Sequence, residues 1–252
     1  MKRNLCFLTG VAMMLAGFLL LPEHDVPVHS TAVMANPQVT LTPVAGPTLE
    51  QECNAAFHRA TPHVEEIFDV DLSDVELVFD QPLPERVDAA LKTLGVGAVA
   101  HTHKGKVNVN TKLIKKQLAH SHSATARWDI LMSLMTHELG HAAQAKALGY
   151  PDLTEWSDAS IKRLRKLGWT GEDEDLRAIC NLMLEGQSYQ LERELGMKVT
   201  FKDQKMMCAL AQMMSQVAKV GHRKWLAALK ADDSFDKIAT DYSLSLAHQL
   251  GN

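Results

Sequence analysis

Between Ser123 and Leu148 the chain reads Thr136-His137-Glu138-Leu139-Gly140-His141. Ile130, Leu134, His137, His141, Ala145 and Leu148 recur at steps of three and four, which predicts one helix whose inward face carries both histidines. Gly149 and Pro151 supply its stop signal. Ala142, Ala143, Ala145 and Ala147 keep the second half slim, so a neighbouring element can come close. Two imidazoles four residues apart lie one above the other on a helix, where both reach a single cation, and neutral imidazole suits zinc. Glu138 sits about 100° round the helix from His137. That places it beside such a cation rather than on it, where a carboxylate can take a proton from water attacking a polarised carbonyl.

The rest of the composition sets bounds on this reading. A chain of 252 residues with 46% hydrophobic and 22% charged content supports one substantial domain. A formal net charge of −4, with no long basic run, excludes the electrostatic footprint of a nucleic-acid binder. Lys2 and Arg3 precede the uncharged run Leu5 to Leu21, so residues 1–21 read as a signal peptide or N-terminal membrane anchor, with the body periplasmic or extracellular. The small-x-small site Val33-Met34-Ala35 lies well past that run, and about 17 apolar residues is the lower limit for spanning, so release and tethering both stay open. Pro22, Pro27, Pro37, Pro43 and Pro47 mark residues 22–47 as a linker, leaving 48–252 as the domain. Cys53, Cys180 and Cys208 show no metal-type spacing and allow one disulfide plus a thiol, or buried free thiols.

Periodicity predicts a helix from Thr48 to Pro62 with an extension through Phe68, and a strand from Val75 to Phe79. A short helix from Glu85 to Leu94 follows. Val96–His103 and Lys106–Asn110 then form a hairpin about Lys104-Gly105. Tyr150–Trp156 reads as a loop, and Ala159–Leu167 as a helix with a solvated cationic face of Lys162, Arg163, Arg165 and Lys166. A helix from Gly171 to Leu195 has an acidic first turn and a capping-box pair in Thr170 and Asp173. Three further helices follow, the first of them methionine-rich, from Asp203 to Ala218. His101 with His103, and His120 with His122, could each offer two ligands, but neither pair has a third nearby.

A zinc enzyme keeps three protein ligands and one open position. Downstream of the motif stand Glu155, Glu172, Glu174, Glu185, Glu192 and Glu194. The helix dipole accounts for Glu172 and Glu174, and Glu194 points with Arg193 toward solvent. Glu185 falls on a face with Ala178, Leu182, Ser188 and Tyr189, where an unpaired carboxylate would be costly. The adjacent Gly186 costs about 1 kcal/mol in a helix relative to alanine, and close approach of the two motif-bearing helices would account for it.

His137-Glu-Leu-Gly-His141 together with Leu184-Glu185-Gly186-Gln-Ser188 resembles the HExxH zinc metallopeptidases of the gluzincin group, whose third ligand is a Glu on a later helix. The likeness covers about a quarter of the chain. The metzincin extension is absent, since Gln144 and Ala147 stand at its positions. The resemblance implies an α+β, mostly helical, zincin-like domain with a small sheet beside the HExxH helix. Zn2+ would be held by His137, His141 and Glu185, and Glu138 would serve as general base and acid. Tyr189 occupies the place of the Asp that orients a ligand His in thermolysin-like enzymes, so Asn181 or Glu192 would have to do so here. Tyr189, His222 and Tyr242 are candidate oxyanion stabilisers, with Tyr189 the best placed. In such proteases an edge strand often holds the peptide, and Val107–Asn110 is the expected strand. The expected activity is exported zinc-dependent endopeptidase action on a peptide or protein substrate, with a possible membrane tether through residues 5–21. A silent zinc-stabilised scaffold and an amidase-type hydrolase are the alternatives.

Overall fold

The computed structural model describes residues 46–85, 98–121, 123–197 and 204–250. The leader, nearly all of the linker and the expected helix beyond Glu85 lie outside these residues. Among the described residues no helix is long and apolar enough to cross a membrane. The order is α1 (Leu49–Phe68), β1 (Glu76–Phe79), β2 (Ala100–His103), β3 (Lys106–Val109), α2 (Thr111–Leu118), α3 (Ala124–Leu148), α4 (Leu153–Lys166), α5 (Asp173–Glu194), α6 (Gln204–Val220), α7 (His222–Lys230) and α8 (Asp232–Leu250). The described residues are thus mostly helical with one small sheet.

Helix α3 is the axis of the molecule. Ser123 starts it by accepting from the Ala126 amide at 3.0 Å, and Gly149 ends it in the left-handed region at φ 84°. Residues Leu134 to Gly140 are buried without a break, as required of a helix covered on every side. Helix α1 covers it most extensively, through the apolar stripe Cys53, Ala56, Phe57, Ala60, Val64 and Phe68. That stripe runs unbroken past Pro62, so α1 is one helix. Helix α5 and strand β2 cover the other sides of α3.

The sheet order is β1-β3-β2. Lys104 and Gly105, at φ 47° and 71°, turn β2 back antiparallel to β3, while β1 pairs parallel to β3 on its other side. Strand β3 is therefore central, and Val107–Asn110 cannot hold a peptide by strand addition. The edge strand beside α3 is β2. Three other expectations are corrected. Asp152 accepts from the Glu155 amide at 2.9 Å and so starts α4 within the expected loop. The N-cap of helix α5 is Glu172, which makes no side-chain cap bond, so Thr170 and Asp173 do not stand at the N-cap and N3 positions expected of them. Asn110 caps an unexpected helix, α2, by accepting from the Leu113 amide at 3.0 Å.

Cys53 and Cys180 are buried free thiols, which burial pushes up to about 11 and about 12. The cationic face of α4 is partly internal, because Arg163 lies 4.4 Å above the Phe235 ring and donates to the Leu229 carbonyl at 2.6 Å.

Candidate metal centre

Helix α3 presents His137 and His141 to α5, which presents Glu185. The two Nε2 atoms are 3.1 Å apart. Glu185 Oε2 lies 3.2 Å from His137 Nε2, and its Oε1 lies 3.3 Å from His141 Nε2. Zinc bonds of 2.0–2.1 Å in a tetrahedron imply ligand separations of roughly 3.3–3.4 Å. The two imidazoles each lie at about that distance from one oxygen of the Glu185 carboxylate, and one ligand atom from each of the three side chains falls within 4.8 Å of the others, close enough for a single metal ion. The side chains are 5%, 12% and 32% exposed in the order His137, His141, Glu185, so the cluster opens toward solvent on the Glu185 side.

The surrounding hydrogen bonds aim lone pairs at the shared point. Glu192 Oε1 lies 2.7 Å from His137 Nδ1, and the other Glu192 oxygen accepts from the Ser133 hydroxyl. A carboxylate only accepts, so His137 donates from Nδ1 and turns its Nε2 toward Glu185 and His141. Gln144 donates from Nε2 to the Leu184 carbonyl at 2.8 Å, which turns its Oε1 to His141 Nδ1 at 2.9 Å. His141 thus takes the same tautomer. Two imidazole lone pairs and a carboxylate converge on one point, a donor set that fits a divalent cation. A proton is drawn there for the same reason. Burial works against protonating His137, yet Glu185 and Glu192 outweigh it and hold that imidazole well above its usual range. Burial opposes the charge of Glu185 too, but His141 and His137 hold its carboxyl well below the usual carboxylate range.

Gly140 and Gly186 explain how these groups meet. A Cβ on Gly140 would lie 3.1 Å from both Leu191 Cδ2 and Ser188 Oγ of α5, so this glycine inside the motif permits the α3–α5 approach. Gly186 serves a different neighbour from the one expected. A Cβ there would meet Met213 Cβ of α6 at 2.3 Å.

Glu138 stands beside the cluster, 6% exposed, with Thr102 Oγ1 2.8 Å from its Oε2. Burial raises its carboxyl; the charges of His137 and His141 and the Thr102 bond pull it back, and the net position is above the ordinary value. An upward shift moves a carboxylate toward the range of a working base. The Tyr189 ring packs on the His137 ring at 4.7 Å. Burial, then Glu185, Glu192 and Glu138, push its phenol well above the usual range, so it keeps its proton.

His222 Nε2 faces Glu194 at 3.2 Å, and the fully buried Tyr242 hydroxyl has no hydrogen bond among the described residues. Asn181 accepts from the Ser157 hydroxyl at 3.1 Å, so Glu192 alone of the two proposed partners orients a motif histidine. His103 Nδ1 pairs with Asp152 at 3.3 Å, and burial lowers His101 to about 4. Among the described residues only His137, His141 and Glu185 form a group of three that could hold a metal. Thr102 and Gln144 were not assigned roles from the sequence. Thr102 reaches from β2 to Glu138 on α3 and Gln144 reaches from α3 to Leu184 on α5, and no local spacing signals contacts between such distant segments.

No family model, no curated protein and no solved structure matches this chain.

If the cluster holds a divalent metal, Glu192→Ala is expected to weaken its binding about 10–100-fold, because His137 loses the partner that holds its ring and tautomer. Competition with a chromophoric chelator measures this directly. Unchanged affinity would show that His137 needs no such partner.

Proposed function

We propose that the chain is an exported zinc-dependent metalloendopeptidase of gluzincin-like type, hydrolysing peptide bonds. The carrying observation is the convergence of His137 Nε2, His141 Nε2 and Glu185 at separations of 3.1, 3.2 and 3.3 Å, with Glu138 beside them. Zinc at such a site supplies Lewis acidity, polarising a carbonyl and bringing the pKa of water down to about 7. His137, His141 and Glu185 would hold the ion. Glu138 would accept the proton of the attacking water and pass it to the departing amine. Tyr189 would donate its hydrogen bond to the developing oxyanion.

A peptide has a place to lie. The Asn110 amide donates to Val99 O at 2.8 Å, and antiparallel alternation from that bond turns the backbone groups of Ala100 and Thr102 away from β3, onto the edge of β2 that pairs with no strand among the described residues. An extended substrate can pair there as a further strand. A cleft of about 360 Å³ adjoins this edge, lined by Thr102, His141, Ala145, Tyr150 and Leu153 among others. The uncharged run from Leu5 to Leu21 supports export.

The zinc-loaded protein is expected to cleave members of a fluorescence-quenched peptide library. Treatment with 1,10-phenanthroline should abolish cleavage, and added zinc should restore it. A protein holding a full equivalent of zinc and cleaving none of the library would overturn the enzyme assignment.

A further inference from the structure

We infer that Thr102 is a positioning residue that joins the edge strand to the general base, so that one residue meets the substrate with its backbone and aims Glu138 with its hydroxyl. The inference rests on the proposed peptidase reading and goes beyond it by giving a strand residue a part in the reaction.

Thr102 Oγ1 lies 2.8 Å from Glu138 Oε2 and also 2.8 Å from the Glu138 carbonyl oxygen. A hydroxyl donates one hydrogen, and of these two acceptors the carboxylate makes the stronger, charge-assisted bond. Held at Oε2, the Glu138 side chain is fixed at its far end while Oε1 stays available for a proton. The hold comes from the edge strand. Thr102 opposes Val107 in the β2–β3 register, at a position where the backbone faces the open edge. A peptide pairing with β2 would therefore bond to the same residue whose side chain is tied to the base. Strand addition and base orientation then become one event, and a displaced β2 would mean a misdirected Glu138.

Thr102→Val tests this, since valine keeps the shape and the strand preference while removing the hydroxyl. On a peptide taken from the quenched library, kcat is expected to fall about 10–100-fold, the usual range for a misplaced reacting group. KM, zinc content and melting temperature should stay as in the wild type. Thr102→Ser should recover most of kcat. Crystals of the zinc-loaded Val variant should show Glu138 turned from its wild-type rotamer, with His137, His141 and Glu185 in place. A Val variant with unchanged kcat, or with Glu138 in its wild-type position, would overturn the inference. If the wild type cleaves no peptide, the peptidase reading fails, and the Glu138 conformation in the two crystals still decides whether Thr102 positions it.

Discussion

Glu138→Gln is expected to leave zinc bound and to remove about 10²–10⁴-fold of the peptide-hydrolysing activity, the usual contribution of a general base. The substitution is a close isostere. Its amide oxygen can still accept from Thr102, but no part of the amide can take up the proton of an attacking water. The three proposed ligands are His137, His141 and Glu185, so the metal should not notice the change. The fold should not suffer either, because Glu138 is a carboxylate at 6% exposure whose charge burial opposes, and a neutral group there relieves that cost. Zinc quantitation and kcat on the same preparation separate the outcomes. Zinc retained with activity lost supports the proposed chemistry, whereas unchanged activity would mean that no proton passes through this side chain.

Much of this site was legible because local rules agreed. Apolar periodicity, a capping Ser123 and a terminal Gly149 all mark α3, and the helical spacing puts His137 and His141 on one side of it. Glu185 stood out because a carboxylate on an apolar helix face calls for a partner, and its oxygens do lie against both imidazoles. Glu192 was within reach by the same logic, seven residues on and so on the same side of α5.

The parts that were not legible depend on contacts between distant segments. The hairpin itself is local, but which of its strands forms the edge depends on β1, which joins β3 across more than 25 residues of chain and leaves β2 at the end of the strand order. The purpose of Gly186 could not be read without knowing that Met213 crosses α5 there, and the glycine that admits α5 to α3 is Gly140, within the motif itself. Thr102 illustrates the same limit. A threonine in a short alternating strand signals only strand preference until the strand is laid against α3.

The most direct measurement is the zinc content of the purified protein after exhaustive dialysis, wild type against Glu185→Ala, with circular dichroism to confirm that both are folded. Glu185 contributes the carboxylate of the proposed triad, and two imidazoles alone leave the ion short of the three protein ligands such sites use. The account predicts one equivalent of zinc in the wild type and none in the variant, whose affinity should fall by roughly a hundredfold or more. A full equivalent retained by Glu185→Ala, or a folded wild type that takes up no zinc, would contradict it.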